Sequence, residues 1–186
     1  MERTLDYPGL RVLNLFFLNP YEEYHLRQAA AKAKVSPSTA KRFLDEYTTL
    51  GLTTETQKAN LHIYKANLEE PGFRLWKTAM FVLKAKPHLE QLIHQYPDSS
   101  LIIFGSVATG TDAPESDLDL LLITRQTQRP TGKLLDEISR KIDRTIQLLK
   151  YTPAEWEKKA REDKPFYERI IIDGIPIAGQ LPVVTS

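Results

Sequence analysis

The sequence predicts a two-domain α/β (α+β) protein, and three observations carry that prediction. At 186 residues the chain is long for one small α/β domain and suits two compact units. Its first third reads as three helices followed by a hairpin. Its second half alternates short apolar runs with helical segments, the pattern of a mixed sheet with flanking helices. The boundaries fall at 1–70 for the first domain, 71–86 for a connecting helix and 87–186 for the second domain.

In the first domain, Leu10, Val12, Leu13, Leu15, Phe16 and Phe17 form an apolar helix that stops near Asn19-Pro20. Tyr24 to Ala33 reads as a second, alanine-rich helix. Val35-Ser36 makes a tight turn, after which Ser36 caps a third helix with Pro37 in its first turn, running to about Leu50. Phe43, Leu44, Tyr47 and Leu50 are expected to face the core. Gly51 ends that helix, and Leu52 to Gln57 and Leu61 to Ala66 alternate around Lys58-Ala59-Asn60 as a two-stranded wing. This order is that of a winged helix-turn-helix.

From Pro71 to Lys84, Phe73, Leu75, Trp76, Met80, Phe81 and Leu83 make a dense apolar stripe at helical spacing, expected to pack; a dimer interface is the alternative reading. Pro87 to Tyr96 reads as a separate helix whose Leu89, Leu92 and Ile93 cover a sheet. The sheet itself starts with Leu101-Ile102-Ile103-Phe104 and continues with the run from Leu118 to Thr124. Further on come the run from Ile146 to Tyr151, helices at 153–162 and 165–170, and a last strand from Ile175 to Ala178, whose Pro176 belongs at a sheet edge.

Composition removes several classes of function. There is no cysteine, so disulfides, zinc ribbons and thiol catalysis are excluded, and the content fits a reducing cytosol. No run approaches the ~20 apolar residues of a membrane helix, so a cytoplasmic protein without a membrane role is expected. The net charge of +1 argues for no partner. Locally, however, the stretch from Arg27 to Leu44 holds five basic residues and no acidic one.

The chemistry concentrates at Gly105-Ser106 and, after ten intervening residues, Asp117-Leu118-Asp119. Gly105 lets the chain turn sharply after a strand and approach a phosphate closely. Ser106-Val107-Ala108-Thr109-Gly110 forms a helical turn whose amides face an anion. Side chains alternate along a strand, so Asp117 and Asp119 point the same way and can hold a hard cation while Leu118 faces the core. The plainer alternative is that the aspartates are turn residues with Ser116 as a cap. His25, His62, His88 and His94 share no metal spacing and receive no catalytic role.

Gly105-Ser106, the Asp117-Leu118-Asp119 triplet, and Gly110 and Ser116 in register resemble the minimal nucleotidyltransferases of the DNA polymerase β superfamily, over about Pro87 to Gly179. The resemblance implies transfer of a nucleoside monophosphate from a nucleoside triphosphate, ATP being the expected one, to a hydroxyl or phosphate acceptor with Mg²⁺ or Mn²⁺. It implies that Asp117 and Asp119 hold the metal and that Gly105, Ser106, Gly110 and Ser116 seat the nucleotide. Two departures stand out. Gln147 occupies the position of the family's third catalytic carboxylate, before the helix start at Thr152-Pro153-Ala154-Glu155, and a neutral amide cannot act as a general base. Asp143, read as sharing the strand face of Gln147, lies roughly 13 Å away along an extended chain, too far to substitute. Thr109 stands where many relatives carry an arginine. Arg140, Lys141 and Arg144 form a basic cluster before the Gln147 strand that reads as a solvated helix end, contact with phosphate being the alternative. Whether the chain is an enzyme therefore stays open beside the alternative of a degenerate, nucleotide-sensing regulator or antitoxin-like partner of a toxin.

In the first domain, His25-Leu26-Arg27, the run from Val35 to Leu44, and Leu50-Gly51-Leu52 resemble prokaryotic winged-helix regulators over about Leu5 to Leu68. The implied partner is DNA. Ser38 and Thr39 reach base edges or phosphate, Lys41 and Arg42 neutralise phosphates, and the wing residues Lys58, His62 and Lys65 follow the backbone. The alternative is that this domain binds a protein or forms a homodimer.

Overall fold

The computed structural model describes residues 6–184, so Leu5 and the outermost ends of both predicted domains lie outside the described residues. The chain divides into Met1–Lys77 and Thr78–Ser186. In the first unit the order is α1 (Pro8–Leu18), β1 (Glu23–His25), α2 (Leu26–Ala33), α3 (Pro37–Thr49), β2 (Thr53–Lys58) and β3 (Leu61–Ala66). The strands form one antiparallel sheet in the order β1-β3-β2.

Local sequence sets the ends of these helices. Pro8 and Pro37 sit in the first turns of α1 and α3, where a missing N–H costs nothing. The Ser36 hydroxyl caps α3 by accepting the Thr39 N–H at 3.1 Å. His25 caps α2 reciprocally: Nδ1 accepts the Gln28 N–H at 3.3 Å, and Gln28 Oε1 accepts the His25 N–H at 3.1 Å. The helices converge on buried Val12, Leu13, Phe16, Phe43, Leu44 and Tyr47. At Gly9 a Cβ would stand 2.8 Å from both Phe43 Cε1 and the Tyr47 hydroxyl, so α1 crosses α3 only because that side chain is missing.

Two expectations need correction here. The second helix begins at Leu26 rather than Tyr24, because Glu23, Tyr24 and His25 pair with Lys65, Tyr64 and Ile63 as a strand. Tyr24 is fully enclosed and its ring meets Phe16 edge-on at 5.5 Å, a tertiary gain that overrides local helix preference. Leu50 is 58% exposed instead of facing the core, because α3 ends at Thr49 and the chain turns away through Gly51, whose φ is +75°.

The predicted connecting helix and its successor are one helix, α4 (Pro71–Gln95), with Pro87 inside it. Ala85, Leu89 and Leu92 recur at helical spacing and lie buried in one core, so packing carries the helix through the proline. The apolar stripe packs only in part: Phe73 is buried, but Leu75, Trp76 and Leu83 are 69%, 47% and 47% exposed.

The second unit continues with β4 (Ser100–Phe104), α5 (Gly105–Thr109), β5 (Leu118–Ile123), α6 (Gly132–Ile142), β6 (Ile146–Tyr151), α7 (Pro153–Glu162), α8 (Lys164–Asp173) and β7 (Ile175–Ala178). The sheet order is β6-β5-β4-β7; β4 runs antiparallel to β5 and β7, and β5 runs parallel to β6. Pro176 does lie in an edge strand.

Alternation along the strands builds two cores. Leu118, Leu120 and Leu122 of β5 join Leu101 and Ile103 against α4 and Ile138 of α6. Leu121 and Ile123 join Ile102 against Trp156 of α7 and Ile170 of α8. Trp156, only 2% exposed, donates its indole N–H to the Pro182 carbonyl at 2.7 Å. Among the described residues, no helix is long and apolar enough to cross a membrane.

A proline inside a helix costs about 3 kcal/mol, whereas the extra freedom that its removal gives the unfolded chain costs about 1 kcal/mol. Pro87→Ala is therefore expected to raise the unfolding free energy by about 1–2 kcal/mol, read from urea midpoints; an unchanged or lower midpoint would show that α4 depends on the proline ring.

Candidate active site

β4 delivers the chain to Gly105, and its antiparallel register sets Phe104 opposite Asp119 on β5. Gly105 adopts φ +71°, and a Cβ there would collide with Asp119 Oδ2 and stand 3.1 Å from its Cγ. Glycine is required twice over, by the left-handed backbone and by the carboxylate filling the space. α5 starts at once, and Phe104 at its N-cap position supplies no capping bond to the first amides. Gly110 ends this turn in the left-handed conformation at φ +70°.

Asp117 immediately precedes β5 and Asp119 lies within it, both half-buried and one residue to either side of buried Leu118 in the chain. Burial first, and the neighbouring charge of Asp117 second, hold the Asp119 carboxyl above the usual carboxylate range. Two neighbouring hard oxygen donors suit Mg²⁺, which is commonly held by one or two carboxylates plus substrate phosphates. No cluster of three or more histidine, cysteine, aspartate or glutamate side chains that could hold a metal occurs among the described residues.

Gln147 comes to this pair. β6 places it beside Asp119 in the parallel register, and its amide Nε2 donates to Asp117 Oδ2 at 3.2 Å. An ionised carboxylate only accepts, so the amide nitrogen must face it. Asp143 does not share the strand with Gln147: it caps α6 in the left-handed conformation, φ 55°.

Of the nucleotide-seat residues, Gly105 and Ser106 open α5. Ser116 lies in the following loop, where its hydroxyl oxygen accepts the Ala113 N–H at 2.9 Å. Thr109 Oγ1 bonds within the turn, to the Ser106 carbonyl at 3.1 Å and to Thr111 Oγ1 at 2.9 Å.

The basic cluster divides. Arg140 is exposed and Lys141 pairs with Glu137 on the helix surface at 2.7 Å. Arg144 is not solvated: its side chain is 10% exposed and its Nη2 meets Asp112 Oδ2 at 2.6 Å. No sequence signal separates it from its neighbours, because its partners lie about thirty residues earlier in the chain.

In the first unit, Ser38 and Arg42 are exposed on the first turns of α3, and Thr39 and Lys41 are half-buried. Three of the predicted DNA contacts already hold partners: Lys41 with Asp45, Lys58 with Glu23 at 2.7 Å and His62 with Glu55 at 2.5 Å. Arg42 lies over the Phe43 ring at 4.5 Å, and Lys65 is exposed.

A groove of about 820 Å³, lined by Ile123, Thr124, Arg125, Trp156, Arg161 and Pro182 among others, opens where β5 ends; it contains neither aspartate.

A carboxyl whose pKa is raised by folding destabilises the fold above its ordinary pKa and does not below it. Asp119→Asn is accordingly expected to raise the melting temperature at pH 7. The gain should shrink as pH falls toward the ordinary aspartate value of 3.8; a gain independent of pH, followed by calorimetry, would contradict the crowding of the pair.

Residues 86–177 match the family model described as the nucleotidyltransferase domain. No curated protein matches the chain in sequence. Among solved structures, the chain is similar to one described as a toxin-antitoxin with AMP-PNP, at 17% identity over 51% of this chain and 73% of that one, with a TM-score of 0.39. It is also similar to a tri-AMPylated Shewanella oneidensis HEPN toxin in complex with MNT antitoxin, at 14% identity over 54% and 73% of the two chains, with a TM-score of 0.37. With a mixed sheet flanked by helices, the second unit carries a nucleotidyltransferase domain at residues 86–177.

Proposed function

We propose that the chain is a Mg²⁺-dependent nucleotidyltransferase that moves a nucleoside monophosphate from a nucleoside triphosphate, ATP first among them, to a protein or nucleic-acid acceptor. The observation that carries this reading is the fit of Asp119 against Gly105, which sets a carboxylate pair directly beside a turn that phosphate can approach. Asp117 and Asp119 are the residues to hold the cation, which would offset negative charge on the phosphates and on the departing pyrophosphate. The Gly105 backbone, Ser106, Gly110 and Ser116 form the nucleotide seat.

In the transfer, an acceptor oxygen forms a bond to the α-phosphorus and the bond from that phosphorus to the β-phosphate oxygen breaks, releasing pyrophosphate. The acceptor proton has to leave with solvent or with a group of the acceptor. Gln147 cannot receive it; its amide steadies Asp117 instead.

That same bond favours a second reading, in which the domain binds nucleotide without turnover and the chain is a winged-helix regulator or the antitoxin-like partner of a toxin. The order of α2, turn, α3 and hairpin supports a DNA-binding first unit, with Ser38, Thr39 and Arg42 on the helix and Lys58, His62 and Lys65 on the wing. Internal ion pairs of the kind made by Lys41, Lys58 and His62 are worth about 0–1 kcal/mol at an exposed surface, so phosphate can displace them.

Incubation with Mg²⁺ and α-labelled ATP, using the protein itself, DNA and RNA as acceptors, separates the readings. Label transfer by the native chain is expected, and Asp117→Ala is expected to abolish it. Gln147→Asp should accelerate transfer by about 10²–10⁴-fold, the contribution of a positioned general base. A native chain without transfer, with activity appearing only in Gln147→Asp, would establish the second reading.

DNA binding is tested apart from transfer. In fluorescence anisotropy with duplex DNA, affinity should fall with log salt at a slope of about −0.9 per phosphate contacted. Arg42→Ala and Lys65→Ala should each flatten the slope by about one. Binding with no salt dependence would turn the first unit toward a protein partner.

A further inference from the structure

We propose that Arg144 is a positioning residue for Asp117, holding the loop before β5 so that this carboxylate stands where a divalent cation can be bound. The proposal rests on the carboxylate pair being a cation site, as in the proposed function.

Residues between α5 and β5 form a loop without regular structure, and Asp117 is its last member. A carboxylate at the end of a free loop would wander, and a cation site needs its donors fixed. Arg144 supplies the fixing from inside. Its Nη1 donates to the Ala113 carbonyl at 3.1 Å and to the Ser116 carbonyl at 2.8 Å, while Nη2 pairs with Asp112 Oδ2 at 2.6 Å. The guanidinium also lies over the Phe81 ring at 5.3 Å. Asp112 is 4% exposed, so the pair is withdrawn from water.

The next residue completes the hold. Thr145 accepts the Leu118 N–H at 2.8 Å, so the backbone on either side of Asp117 is tied to consecutive residues, Arg144 before it and Thr145 after it. Gln147 then reaches the carboxylate itself. The left-handed cap at Asp143 turns the chain out of α6 just before Arg144. A lysine could keep the charge opposite Asp112, but its single nitrogen lacks the planar fork that serves a carboxylate and two carbonyls together.

The test uses Mn²⁺ alone, its binding to the full chain followed by electron paramagnetic resonance, with melting temperature measured on the same samples. Arg144→Lys is expected to weaken Mn²⁺ binding by about 10–100-fold, the range for residues that orient a metal ligand. Leu92→Ala, in the core under α4, serves as the control: it lowers the melting temperature but should bind Mn²⁺ as the native chain does. Where Arg144→Ala folds, added guanidinium should restore part of its binding; where it does not fold, Arg144→Lys decides. Native-like binding by Arg144→Lys, or a loss no greater than that of Leu92→Ala, overturns the role of Arg144 alone. A native chain that binds no Mn²⁺ overturns the cation site and the role together.

Discussion

The second unit depends on the strict two-residue period of β5. Five of its six residues divide between two cores, Leu118, Leu120 and Leu122 toward α4 and α6, Leu121 and Ile123 toward α7 and α8, with a hydrogen-bonded neighbour strand on each side. A slip of one residue would send leucines into the carboxylate site and Asp119 into the packed layer beneath α4. The register that fills both cores therefore also fixes which way the aspartates face, and β4 carries the same constraint to Gly105 through the pairing of Phe104 with Asp119.

Stability and chemistry pull against each other at that corner. Packing asks for apolar residues, yet two carboxylates meet where β5 begins, and burial first, then the charge of Asp117, raises the proton affinity of Asp119. The chain limits the cost by local means: the missing side chain at Gly105, the Gln147 amide on Asp117 and the buried guanidinium of Arg144 all lie within a few residues of β4, β5 or β6. A neutral partner at Gln147 adds no third negative charge to the cluster, which reduces repulsion between its members.

Much of this was legible in the sequence because it is local. The apolar run before Gly105-Ser106, the Asp117-Leu118-Asp119 spacing and the Thr152 capping box are read within a few residues, and the resemblance drawn over Pro87 to Gly179 coincides closely with the matched span 86–177. What escaped depends on distant contacts. Tyr24 looks helical until Tyr64 pairs with it, Pro87 looks like a helix start until buried Ala85 and Leu89 are seen on one face, and Arg144 looks like its solvated neighbours until Asp112 folds back onto it. Asp143 fell on the wrong side of a helix end because its left-handed backbone is visible only in three dimensions.

The placement of the two tryptophans gives the molecule a built-in optical contrast. Trp76 in the first unit is half open to water, whereas Trp156 in the second is enclosed among Tyr151, Phe166 and Tyr167 and bonded to the Pro182 carbonyl. An indole in water emits further to the red than one in an apolar enclosure, so the two units carry distinguishable colours. Melting of the layer beneath α7 and α8 shifts the blue component, and changes around α4 in the first unit register in the red one.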